Sequence, residues 1–161
     1  MEKLQNDIIK VLSDDCRLTA SEVAILVNST KEAVEEAING LERDGIILKY
    51  AAVVNTNKIE SGVQSLIEVK VTPQRVKGFD SIAAEIYHFD EVKSVYLMSG
   101  AYDLAVFVEA PSLKDVALFV TEKLSCVGAV TSTATHFILK KYKNEGVIFE
   151  TEDENRLKVH P

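Results

Sequence analysis

The sequence predicts an α+β protein: an N-terminal winged helix-turn-helix followed by a C-terminal ferredoxin-like βαββαβ sandwich. Three short segments with apolar residues at helical spacing come first, and a stretch rich in β-branched residues follows them. The remainder alternates between strand and helix periodicity in β-α-β-β-α-β order. We therefore expect a winged helix-turn-helix over residues 1–54, a linker over 55–64, the sandwich over 65–149 and a C-terminal extension over 150–161.

Composition limits the class of protein. The chain has 161 residues, 47% hydrophobic and 27% charged, which is typical of a soluble globular protein. It has neither an apolar run long enough to span a membrane nor a secretory signal, so we expect a cytoplasmic protein. Cys16 and Cys126 lack metal-ligand spacing and are expected to be reduced, packed thiols. The net charge of −7 argues against binding polyanions through bulk charge, although a local basic patch stays possible.

Three helices are predicted before residue 45. The first covers Leu4–Leu12, the second opens with a capping box of Thr19 and Glu22, and the third covers residues 30–43. Residues 46–54 are expected to form one or two strands, which completes the order of a winged helix-turn-helix. The predicted inward-facing residues are Leu4, Ile8 and Leu12, then Val23, Leu26 and Val27, then Val34, Ala37, Ile38 and Leu41.

The third helix would be the one that reads DNA. Residues 31–44 carry two basic and five acidic side chains, so phosphates would repel this helix unless basic side chains lie at the backbone and glutamates face cytosine amino groups. A solvated charged face is an equally available interpretation. The expected exposed stripe is Glu32, Glu35, Glu36, Asn39 and Arg43, and the predicted DNA-binding residues are Thr30, Lys31, Glu32, Glu35, Asn39, Arg43 and Lys49.

The second domain is predicted to begin with a strand over 65–71, ended by Thr72-Pro73, and a helix over 77–88. A hairpin, a helix over 113–124 and a strand over 130–142 follow. The helices would pack through Phe79, Ile82, Ala83 and Ile86, and through Leu113, Val116, Ala117, Val120 and Leu124. Both would cover one face of the sheet. The other face, with Leu66, Tyr96, Met98 and Phe107, is too apolar for water, so we expect two sheets to stack as a dimer.

The hairpin turns at Ser99–Asp103, between two runs of alternating apolar residues. Gly100 would allow a positive φ or a close approach by a partner, and Asp103 would bond its own backbone in an Asx turn. A second interpretation treats this loop as a small-molecule pocket, with peptide N–H groups for a carboxylate and Asp103 for an ammonium.

The whole pattern resembles the Lrp/AsnC family, over about residues 4–150. The segments that carry this resemblance are Leu-Glu-Arg-Asp-Gly-Ile-Ile at 41–47 and Leu-Met-Ser-Gly-Ala-Tyr-Asp at 97–103. The resemblance implies a transcription regulator of amino-acid metabolism that binds double-stranded DNA, forms homodimers and often octamers, and binds an amino acid or similar effector between dimers. The implied effector-loop residues are Ser99, Gly100, Ala101, Tyr102 and Asp103, and Met98, Thr133 and Thr135 could line the same cleft.

The chain departs from the family pattern in two places. Ala37 stands where the third helix usually carries an arginine, and Glu35, Glu36 and Asn39 occupy positions that tend to be basic. Ala101 stands where members often carry a charged or polar residue, which leaves the identity of the effector open.

Two other functions remain as alternatives. The acidic third helix fits an amino-acid sensor with weak or lost DNA binding that acts through a protein partner. An enzymatic interpretation comes from haem-biosynthesis decarboxylases that share the architecture. His88, His136 and His160 form no cluster with cysteines or paired carboxylates, and His136 is expected to be a packed or interface histidine. We therefore predict a regulator without catalytic residues, metal or cofactor.

Overall fold

The chain divides into two compact units, and the division falls between Val53 and Val54. These units are seen in a computed structural model, which describes residues 2–59, 62–72 and 78–149. Pro73, Lys77, His160 and the predicted extension after residue 149 lie outside the described residues. Within the described part, no helix is both long enough and apolar enough to cross a membrane.

The first unit is built from three helices, as the sequence predicts. They are α1 (Lys3–Asp14), α2 (Ala20–Leu26) and α3 (Lys31–Arg43). Leu26 is exposed although the sequence predicts it inside, because Ala24 takes the inward position on this short helix. The residues buried between the three helices are Ile8, Leu12, Val23, Ala24, Val34 and Leu41.

Local side-chain chemistry fixes the helix ends. The hydroxyl of Thr19 accepts from the N–H of Glu22, and the Glu22 carboxylate accepts from the N–H of Thr19 at 2.7 Å, so the predicted capping box is confirmed. This N–H of Thr19 holds the pKa of Glu22 below its usual range. Gly45 follows the C-terminal cap of α3, and its φ of +69° lets the N–H of Ile46 reach the carbonyl of Leu41 at 2.9 Å.

The strands predicted over residues 46–54 do not form, so the wing of the predicted winged helix-turn-helix is not seen. The residue types favour a strand, but within the described part of the chain no other strand pairs with this segment, and a strand requires a neighbour for its backbone groups. Its side chains are largely exposed, with Leu48 at 86%. The prediction was wrong because propensity says nothing about a pairing partner.

The second unit has the predicted β-α-β-β-α-β order. After a short 3₁₀ turn (Thr56–Lys58), the elements are β1 (Val63–Val71), α4 (Phe79–Tyr87), β2 (Val92–Leu97), β3 (Leu104–Ala110), α5 (Leu113–Leu118) and β4 (Val130–Phe137). The antiparallel sheet has the order β2-β3-β1-β4. Both helices pack on one face through a core that includes Ile67, Val69, Ile82, Ile86, Val106, Phe119 and Leu124.

The helix predicted over 113–124 is not a uniform α-helix. After α5 the chain forms a π-helical turn (Phe119–Lys123) and then a 3₁₀ turn (Leu124–Cys126). Phe119 is 2% exposed and joins the buried Val116, while Leu113 and Ala117 of α5, which the sequence places inside, are exposed. An assumed period of 3.6 residues could not show this change.

Two further differences concern the end of the second unit. A small hairpin of β5 (Lys143–Asn144) and β6 (Val147–Ile148), which was not predicted, follows β4. Its turn has φ of 47° at Glu145 and 79° at Gly146, the two positive values that a type I′ turn requires. Cys126 is exposed rather than packed, although both cysteines are free as expected.

Candidate functional site

The outward surface of α3 carries the residues predicted to contact DNA. Val34 and Leu41 anchor the helix in the core, and Thr30 caps it by accepting from the N–H of Ala33 at 3.3 Å. The predicted exposed stripe is confirmed, because Glu32, Glu35, Glu36, Asn39 and Arg43 are all exposed, as are Lys31 and Lys49.

Much of the positive charge in this unit is already paired. Lys31 lies 3.4 Å from Glu35, Arg43 lies 3.6 Å from Asp44, and Arg17 makes a two-point contact with Asp15 at 3.1 Å for each pair of atoms. The first 53 residues hold six basic and ten acidic side chains, for a net charge of −4. Nonspecific attraction to phosphates is therefore weak in this unit.

The loop between β2 and β3 is fixed to the end of β1 by Asp103. The N–H of Asp103 donates to the carbonyl of Val69 at 3.0 Å, and its Oδ2 accepts from the N–H of Val71 at 2.8 Å. The predicted Asx turn is therefore wrong. The pairing of β1 with β3 ends at Val69 and Leu104, so the backbone of Val71 has no partner from β3 and the carboxylate supplies an acceptor.

Gly100 lies at the exposed tip of this loop. Its φ is outside the left-handed region, so the first of the two predicted roles, a positive φ, is not seen, and a Cβ built on it would meet nothing within 4 Å. The fold of this chain alone therefore does not require glycine there. Met98, Ser99 and Ala101 are exposed as well, whereas Tyr102 and Asp103 are half-buried.

Thr133 and Thr135 lie on the edge strand β4, opposite Val69 and Ile67 of β1. Because β1 runs between β4 and β3, Thr133 and Asp103 lie on opposite sides of it, about 10 Å apart by strand spacing. The structure thus brings the predicted effector residues to one end of the sheet without enclosing them. A groove of about 340 Å³ lies at the other end of β1 and contains none of them; its lining includes Gly62, Gln64, Phe137 and Lys140.

The face of the sheet away from the helices is open and apolar at its centre. Leu66 lies opposite Phe107, and the ring of Tyr96, which is 54% exposed, meets the Phe107 ring edge-on at 5.9 Å. Polar pairs flank this centre: His136 lies 3.4 Å from Glu68, and Gln64 donates to Glu109 at 3.0 Å. These polar pairs were not predicted, although the two-residue period of β1 places Gln64, Leu66 and Glu68 on one face.

Glu91 follows the C-terminal end of α4, and its carboxylate accepts a hydrogen bond from the ammonium of Lys123. This bond holds the pKa of Glu91 below its usual range. Lys123 belongs to the π-helical turn, and its ammonium also lies over the ring of Phe89. No local sequence pattern indicates this pair, because 32 residues separate its members. We expect this pair to stabilise the sheet unit.

The first unit presents one exposed polar helix, α3, and the second unit presents an exposed loop on its sheet. These are the two parts that the sequence predicts for a two-domain transcription regulator. Residues 64–148 match the family model described as the Lrp/AsnC ligand binding domain. YugG of Bacillus subtilis, an HTH-type transcriptional regulator, is 44% identical over 160 residues, with 98% of this chain and 96% of that protein covered. The chain belongs to the Lrp/AsnC family of transcriptional regulators.

Solved structures share the fold. A transcriptional regulator of Neisseria meningitidis in complex with L-Met is 24% identical, with 89% of this chain and 93% of that chain covered and a TM-score of 0.73. The leucine response regulatory protein LrpA of Mycobacterium tuberculosis is 20% identical, with 90% and 97% covered and a TM-score of 0.77. The curated relatives are transcriptional regulators and not enzymes.

Proposed function

We propose that this regulator binds promoter DNA through α3 and responds to an amino acid bound at the hairpin loop between stacked homodimers in the cytoplasm. The observation that carries the proposal is the loop 98–103, which is exposed at its tip yet anchored to β1 through Asp103. An exposed glycine that the chain's own fold does not require leaves room for a ligand or a neighbouring subunit.

The effector site would form in two steps of assembly. The open face around Leu66, Tyr96 and Phe107 is apolar and would be covered in a homodimer, and dimers would then assemble, as far as an octamer, around the loops. An amino acid suits this loop because peptide N–H groups can bind a carboxylate and Asp103 can bind an ammonium. The relative from N. meningitidis was solved with L-Met, which supports this class of ligand.

The effector would act by shifting the population of assembly states. An amino acid that binds one arrangement of dimers more tightly than another changes the separation of the paired α3 helices, and so changes which DNA half-sites are held together. A ligand with equal affinity for both arrangements would change nothing.

A thermal-shift screen of the twenty amino acids tests effector binding, because a ligand of the native state raises the melting temperature by mass action. The informative variant is Asp103→Asn, which keeps an acceptor for the Val71 N–H but removes the charge that would bind an ammonium. We expect it to lose the shift and keep the fold. Asp80→Asn, an exposed change on α4, is the matched control and should keep the shift. An unchanged response in Asp103→Asn would remove Asp103 from the site.

DNA binding is tested by the anisotropy of labelled promoter duplexes over a range of salt concentrations. A regulator that neutralises phosphates loses affinity as salt rises, with a slope that counts the phosphates. The paired basic groups and the charge of −4 predict a shallow slope.

A sensor that acts through a protein partner is the second candidate, and the same charge favours it. Absence of any duplex preference, with and without amino acids, would support this candidate over the first.

A further inference from the structure

Glu36 is a carboxylate on the outward surface of α3 that has no hydrogen bond or ion pair among the described residues. By spacing it shares one line of the helix with Glu32, Asn39 and Arg43, which follow each other at intervals of four, three and four residues. All four side chains are exposed. This line is the part of α3 that faces outward from the core.

Each of the other glutamates of α3 makes a local interaction that explains its presence. Glu32 lies in the first turn, where the helix dipole favours negative charge, and Glu35 pairs with Lys31. Glu42 accepts from the hydroxyl of Tyr50 at 2.8 Å. Because burial and this bond to a carboxylate both disfavour the phenolate, the pKa of Tyr50 is raised.

Glu36 has no comparable structural reason. It lies beyond the first turn, and four residues after Glu32 it forms a like-charge pair that destabilises the helix. A residue that weakens its own element without a local compensation is expected where function requires it.

Weak attraction to phosphates increases the share of binding that base contacts must supply. The unit carries a net charge of −4, and Lys31 and Arg43 are already paired. In the major groove a carboxylate can accept from the N4 amino group of cytosine, and an asparagine can bond adenine at two points.

We infer that Glu36 is a specificity-determining residue that accepts a hydrogen bond from a cytosine amino group, with Asn39 reading an adenine on the next turn. This inference rests on the proposed binding of DNA through α3. Three helical residues advance about 4.5 Å and one base pair about 3.4 Å, so the cytosine and the adenine lie one or two base pairs apart.

Selection from a library of random duplexes by the full-length protein, followed by sequencing, tests the inference. The wild-type protein should enrich a cytosine near an adenine in each half-site. Glu36→Gln should change the preferred base at the cytosine position to adenine, because an amide side chain bonds adenine at two points. We expect the ratio of affinities for the two bases to change by at least about 10-fold.

Glu42→Gln is the matched control, since it removes the same charge from α3 at a position outside the predicted DNA-binding set and keeps an acceptor for the Tyr50 hydroxyl. It should leave the preferred bases unchanged. Thermal unfolding checks the fold, and Glu36→Gln should melt no lower than the wild type because it removes a repulsive pair.

Three results would overturn the inference. An unchanged preference in Glu36→Gln would exclude Glu36 from base reading while leaving DNA binding in place. Equal tightening on every sequence would identify Glu36 as a solvated charge that only repels phosphates. Failure of the wild type to enrich any sequence, with no binding at low salt, would overturn the proposed function as well.

Discussion

The two units of this protein differ in the surface that they leave exposed. The helical unit presents a charged helix, on which a single unpaired side chain such as Glu36 can be singled out. The sheet unit presents an apolar face around Phe107 and Tyr96, on which no single contact stands out. The comparison teaches that the first surface suits recognition by individual side chains, whereas the second suits association through buried area.

The largest expected effect concerns the core of the sheet unit. Phe119→Ala should lower the free energy of unfolding by about 3–5 kcal/mol, because it removes a fully packed aromatic ring from the π-helical turn. Leu118→Ala, at a position that is 38% exposed, is the control and should cost less than about 1 kcal/mol. Denaturant titrations give both values. Equal losses would mean that Phe119 contributes no more to the core than its exposed neighbour.

The second largest effect tests whether burial of the open apolar face of the sheet drives dimer formation. Phe107→Asp should raise the dimer dissociation constant at least about 100-fold, because stacking would bury an unpaired charge. Sedimentation velocity across a range of concentrations measures this change. Tyr87→Asp alters an exposed aromatic residue on α4 and should leave association unchanged. If Phe107→Asp assembles like the wild type, the open face is not the dimer interface.

A smaller effect is expected from the helical unit. Thr19→Ala removes the hydroxyl that caps α2 and should cost about 1 kcal/mol of stability. Ser21→Ala, two positions further along α2, serves as the control in thermal unfolding and should cost little. A loss of comparable size in both variants would show that helix propensity, and not the cap, explains the result.

The smallest effect depends on pH. Lys123 lowers the pKa of Glu91 in the folded state, so this pair stabilises the fold above the ordinary value of 4.5 and the stabilisation disappears as pH falls below it. Lys123→Met should therefore lose more stability at pH 7 than at pH 3. The loss should stay below about 1 kcal/mol, since the lysine is half exposed. Lys114→Met should show no such pH dependence.

Features set by neighbours in the sequence were predictable. The capping box of Thr19 and Glu22 and the Gly45 stop of α3 depend on residues within five positions of each other. The alternation in β1 likewise assigns Leu66 to one face and Ile67 to the other. These features required no knowledge of the partner surfaces.

Features set by distant partners were not predictable. Residues 46–54 have strand-forming residues but no described strand to pair with, and the Asp103 carboxylate bonds Val71, 32 residues away. The candidate site shows the same limit, because the loop motif at 99–103 was evident from sequence whereas the separation of Thr133 from Asp103 by β1 was not.

The amino-acid pattern alone was enough to predict the β-α-β-β-α-β order of the second unit, the caps of α2 and α3, the acidic surface of α3 and the family. Only the tertiary structure decided which strands pair, where the last helix widens, and that Asp103 anchors the loop. The reason is physical: caps and amphipathic periods are local interactions, whereas pairing and packing depend on the groups that the fold brings together from far along the chain.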